Sequence, residues 1–153
     1  MKYGLRIIFC FFLIFFSLKS EDLTRQLPIE KTVFLKGITG VEHYFDPKVL
    51  YFNTGKLYKL TIKNISDSKH YFSSNSFSKA IFTRKIQINF NQNKLAEIKG
   101  IINEVEVYPG QEIQWWFVPI KTGEFNDLKC DVEDTKNKIK HSKMGMIGKI
   151  IIE

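Results

Sequence analysis

The chain has 153 residues, 44% of them hydrophobic, 14% aromatic and 25% charged, enough for one ordinary domain with a sizeable core and too few for several. Its formal charge is +7, falling to +4 without Lys2, Arg6 and Lys19, and the remaining lysines are scattered. Such a spread reads as a solvated surface with some preference for acidic partners and excludes a nucleic-acid footprint.

Residues Met1 to Arg6 make a positively charged start, and Ile7 to Phe16 form an unbroken apolar run. Ser17 to Ser20 then precede the acidic pair Glu21-Asp22. That order is a secretory signal peptide over residues 1–20, with a mature domain over 21–153. The run is short of the roughly 20 apolar residues that a membrane-spanning helix needs, and no later stretch is long and apolar enough. The expected location is therefore periplasmic or secreted, with no integral membrane segment after signal removal.

Strand signals dominate the rest of the chain. Val33-Phe34-Leu35 is a short apolar strand before Gly37, and Pro47 and Gly55 bracket Val49 to Phe52. Tyr58, Leu60 and Ile62 alternate with Lys59, Thr61 and Lys63, giving one buried and one wet face. A polar loop from Asn64 to Lys69 delivers His70-Tyr71-Phe72. Ser73 to Gly100 fits least well, as short helical turns or an irregular excursion. Val105 and Val107 alternate with glutamates before the Pro109-Gly110 turn, and Ile113 to Val118 is a strongly aromatic strand. Within it Trp115 and Trp116 face opposite sides, so one belongs to the core. Phe125 and Leu128 lead to Cys130, and Lys149 to Ile152 closes the pattern. Seven to eight short strands with turns between them make an all-β sandwich. Asn64-Ile65-Ser66 fits a glycosylation acceptor but is read as incidental.

Once the signal is removed with Cys10, Cys130 is the sole thiol. A lone cysteine in an oxidising compartment forms no internal disulfide, and metal ligation gives it a reason to persist. Cys130, His141 and Met146 lie close in sequence before the last strand, with Gly145 and Gly148 to turn the backbone. A thiolate, an imidazole and a thioether are the soft set that copper prefers. A second imidazole is required. His70 follows a strand and a polar loop and is the natural candidate, while His43, just before Tyr44-Phe45, is read as a surface or strand-end residue.

At these residues the sequence resembles the cupredoxins, the small blue copper proteins of the plastocyanin and azurin type. Phe45-Asp46-Pro47 and the strand ending at Asn64 resemble the family's early strand pair. His70 with Phe72 and Phe77 is similar to its first copper ligand region. Val105 to Gly110 resembles the strand and Pro-Gly turn common in the family, and Phe117-Val118-Pro119, Gly123-Glu124-Phe125 and Cys130 resemble the approach to the copper cysteine. The segment from His141 to Gly148, an imidazole with a Gly-Met pair behind it, is the most specific match. The resemblance implies a Greek-key β-sandwich holding one copper ion, with His70, Cys130 and His141 as strong ligands and Met146 as the long axial one. It also implies that electrons leave through the His141 edge. One departure stands out: ten residues, Asp131 to Lys140, separate Cys130 from His141, where simple carriers have a tighter loop. Its acids Asp131, Glu133 and Asp134 are placed to approach the metal.

Three histidines are too few for a multicopper oxidase, and one cysteine too few for a binuclear centre. No Ser-His-Asp pattern or paired zinc-type cysteine motif supports hydrolysis. The sequence therefore reads as a non-enzymatic, monomeric, exported mononuclear copper protein acting in electron transfer with exported redox proteins. The alternatives are a copper-handling protein that delivers the ion to an oxidase, the long loop letting metal in and out, and a metal-free cupredoxin-like interaction module.

Overall fold

The computed structural model describes residues 26–153. The expected signal segment, residues 1–20, lies outside the described residues. Eleven strands run in the order β1 (Ile29–Ile38), β2 (Glu42–Asp46), β3 (Val49–Phe52), β4 (Tyr58–Asn64), β5 (His70–Ser73), β6 (Ile81–Phe90), β7 (Asn93–Ile98), β8 (Glu104–Val107), β9 (Glu112–Pro119), β10 (Gly123–Lys129) and β11 (Ile147–Ile152). A one-turn helix α1 (Asn75–Ser78) follows β5, and a 3-10 turn (His141–Met144) precedes β11. Among the described residues no helix is long and apolar enough to cross a membrane.

The strands form two mixed sheets, β2-β1-β4-β9-β6-β7 and β3-β11-β10-β5-β8. Their facing sides follow the alternation of the sequence: in β4 the residues Tyr58, Leu60, Ile62 and Asn64 are buried while Lys59, Thr61 and Lys63 are not. This period-2 pattern hides one sheet face and wets the other. Trp115 is fully buried, edge-on to Phe72, Phe77 and Phe117, whereas Trp116 lies on the outer face with the Lys85 Nζ 4.4 Å from its ring centre. Asn64 is also fully buried, its amide donating to the carbonyls of Ser68 (2.8 Å) and Val107 (2.7 Å), so it serves the fold.

Three strands exceed the expectation. Ser73 to Gly100 is no irregular excursion but α1 followed by the antiparallel hairpin β6–β7. β7 buries no residue, so it carries no apolar alternation to read, and its turn places Asn91 and Gln92 at positive φ without a glycine. The third is β2, which pairs antiparallel with β1 at the edge of the first sheet. It turns His43 and Phe45 inward and Glu42 outward.

Candidate metal centre

The four residues singled out in the sequence all sit at element boundaries. His70 opens β5, Cys130 follows the last residue of β10, His141 opens the 3-10 turn, and Met146 precedes β11. All four are buried. Main-chain bonds knit three of them together: the Met146 N–H donates to the His141 carbonyl (2.9 Å), and the Cys130 N–H to the Met146 carbonyl (3.2 Å). Gly145 makes the turn possible, with φ of 109° in the left-handed region. A Cβ there would also come within 3.2 Å of the His43 carbonyl oxygen.

Three side-chain atoms converge. His70 Nδ1 and His141 Nδ1 are 3.1 Å apart, and Cys130 Sγ lies 3.8 Å from the first and 3.7 Å from the second. A point equidistant from three atoms so spaced is about 2 Å from each, the length of a bond from a late transition metal to imidazole. The donor set, two nitrogens and one sulfur, suits an ion that accepts both. Met146 is fully buried in the hydrophobic core that also holds Cys130, and its main chain is bonded to those of His141 and Cys130.

Burial tunes these groups toward ligation. It pushes His70 down to about 3, helped by the neighbouring charges of His141 and His43. It takes His141 down to about 4, again helped by His43. Both rings therefore stay neutral in ordinary buffers and keep a lone pair to offer. Burial pushes the Cys130 thiol up, opposed by the N–H groups of Tyr71 and Val132. The Tyr71 N–H donates to Sγ at 3.3 Å. A bound cation reverses that balance, because a coordinating thiol gives up its proton.

The sequence reads His43 as a surface or strand-end residue; it lies near the start of β2, but the structure buries it. His43 is fully buried, its ring stacked on His141 with centres 3.7 Å apart and edge-on to His70 at 5.0 Å. One nitrogen from each of His43, His70 and His141 lies within 4.8 Å of the others. The readable signal was the alternation of β2: Phe45 needs the core, and a residue two positions earlier shares its face.

The His141 edge that was expected to face redox partners is closed to solvent: His141 is only 1% exposed, and the His43 ring stacks on its face. Of the loop acids, Asp134 alone turns inside, while Asp131 pairs with Lys129 on the surface. The Asp134 carboxylate accepts from His43 Nε2 (3.1 Å) and from the N–H groups of Gly40 (2.8 Å), Lys136 (2.9 Å) and Asn137 (2.7 Å). The Asn137 N–H contributes most to holding this carboxyl well below the usual carboxylate range. Segment 131–140 is folded, closed by a bridge between Glu133 and Lys140 and by the Asp134 N–H on the Ile139 carbonyl (2.8 Å). Its length lets it reach β2 and seal the site.

No protein-family model matches the sequence, and no curated protein sequence matches it. Solved structures do match in shape. A multicopper oxidase from Campylobacter jejuni, described as a metallo-oxidase, aligns with a TM-score of 0.57 at 15% identity over 83% of this chain and 30% of that one. The blue copper oxidase of Nitrosomonas europaea aligns at 0.52, with 16% identity over 86% of this chain and 46% of its own. The copper nitrite reductase of the same organism aligns at 0.54, with 12% identity over 87% and 52%. The fold is cupredoxin-like.

This cupredoxin-like domain spans about a third to a half of those longer chains. The comparison corrects one expectation: the solved proteins that share the fold are oxidases and a reductase, so reading the domain as non-enzymatic does not stand. Counting its histidines asked whether this chain alone could house such a centre. It did not address the same fold forming one part of a larger enzyme.

Proposed function

We propose that this domain binds one copper ion through His70, Cys130 and His141, with Met146 as a weaker fourth donor, and passes single electrons. The observation that carries the reading is the convergence of two Nδ1 atoms and one Sγ, each within 3.8 Å of the other two. Bound copper would supply a one-electron couple, because sulfur favours the reduced ion and nitrogen the oxidised one.

The protein's contribution is to keep that donor set in place. β5 and the 3-10 turn each present a neutral imidazole, and burial of His70, Cys130 and His141 keeps water away. The Tyr71 N–H holds the sulfur in one position and withdraws some of its charge, which tunes a metal centre from outside its ligands. With His141 covered, the Tyr71 N–H on the sulfur offers one route toward the surface, because the Tyr71 side chain is only half-buried. The domain would work in the periplasm or outside the cell, alone or within a longer oxidase or reductase, taking electrons from or giving them to exported redox proteins. Delivery of copper through a mobile loop is less well supported, because the bonds to Asp134 tie that loop down.

Copper(II) titration of the protein tests the reading. It should produce one equivalent of an intense thiolate-to-copper absorption and a reversible one-electron potential, and Cys130→Ser should abolish the absorption. A protein that takes up copper(II) with no such band would defeat it.

A further inference from the structure

We propose that His43 is a third imidazole donor, so that one end of the sandwich offers two overlapping ligand sets, His70–Cys130–His141 and His43–His70–His141. The inference rests on the reading that the site holds copper and concerns which side chains hold it.

Two observations support it. One nitrogen from each of the three buried rings lies within 4.8 Å of the other two. Each ring also keeps a buried nitrogen with no hydrogen-bond partner among the described residues: His43 Nδ1, His70 Nε2 and His141 Nε2. A buried polar atom without a partner is costly, and an aromatic ring without nitrogens would pack against His141 free of that cost.

The surroundings of His43 are those of a ligand. Asp134, fully buried, takes the Nε2–H of His43 at 3.1 Å. A carboxylate behind a histidine fixes the tautomer and raises the basicity of the other nitrogen, as it does in metal-bound imidazoles. Gly37, opposite His43 on β1, keeps space beside that nitrogen: a Cβ there would lie 2.4 Å from Nδ1. Three imidazole nitrogens suit copper(II), whereas the set containing sulfur suits copper(I) better. The second set keeps three protein donors when the sulfur is taken away.

Removing the sulfur exposes the second set to measurement, with copper(II) itself as the probe. Cys130→Ser should lose the thiolate absorption yet bind copper(II), with hyperfine splitting from three nitrogens in its electron paramagnetic resonance spectrum. Adding His43→Phe, which preserves the stacked ring, should reduce the count to two nitrogens and weaken binding by more than about tenfold. His43→Gln, which leaves Asp134 a donor, should do the same and serves if the phenylalanine variant does not fold. Equal nitrogen counts and affinities with and without His43 would overturn the proposal. So would a Cys130→Ser protein that takes up no copper(II) while the parent shows the thiolate band, and the copper–thiolate reading would then survive alone. A parent that lacks the band but shows three nitrogens would uphold the all-imidazole set and end that reading.

Discussion

The metal-free protein should lose stability steadily as the pH falls below about 6.5, the ordinary value for a histidine in an unfolded chain. In the folded protein, burial holds His70 at about 3 and His141 at about 4. Between these limits the unfolded chain binds two protons that the folded chain refuses, so acid favours unfolding. Each such proton costs about 1.4 kcal/mol per pH unit. Two together approach about 2.7 kcal/mol per unit, or roughly 5 kcal/mol between pH 6.5 and 4.5. That is comparable to the whole stability of a small domain, about 5–15 kcal/mol. The Asp134 carboxyl, held low in the folded state, adds to the same trend at more acid pH. The assay is urea denaturation with a chelator present, at half-unit steps from pH 7.5 to 4.5. His70→Asn should remove one proton from the slope. A midpoint that stays flat over this range, or a slope that ignores replacement of both histidines, would refute the claim that these rings are buried and neutral.

Three further outcomes are expected. Trp115→Ala should cost about 3–5 kcal/mol in urea denaturation because it empties the space between Phe72, Phe77 and Phe117, while Trp116→Ala on the outer face should cost under about 1 kcal/mol. Gly145→Ala should cost about 1–3 kcal/mol, since φ there is +109°, and should weaken copper(II) binding in the same titration because that turn carries His141 and Met146. Asp134→Ala should make segment 131–140 a protease target and speed copper loss to a chelator by about tenfold or more, as removal of an outer-shell anchor does.

What could be read from the sequence tracked the burial pattern. β4 and β9 alternate because one face meets the core, and both were recognisable; Trp115 and Trp116 separated as their adjacent positions require. The β-sandwich could be inferred from such strands, and the resemblance around His141 to Gly148 pointed to the cupredoxin fold. β7 was hidden because every residue on it is half-buried or exposed, leaving only its pairing with β6 to define it. β2 was missed although its alternation was legible, with His43 and Phe45 on one face, and its inward-facing His43 went with it. The convergence of His70 with Cys130 and His141 depends on neighbouring strands β5 and β10, a tertiary fact that spacing along the chain does not encode. The length of segment 131–140 was visible, but its purpose was not. Only the distance from Asp134 to Gly40 and His43 shows that it spans the mouth of the sandwich.

The place of β11 has a consequence for the order in which the molecule is completed. This strand lies inside the second sheet, parallel to β3 on one side and antiparallel to β10 on the other. Until it inserts, β3 has no partner in its sheet, and the turn that brings His141 and Met146 to Cys130 has nothing to anchor its far side. His43, His70, Cys130 and His141 all precede β11 in the chain, so every one of these side chains is present before the strand that anchors the last turn. The strand that completes the second sheet therefore also fixes the turn that carries His141 and Met146, so disturbing the β3–β11 pairing should disturb the candidate site.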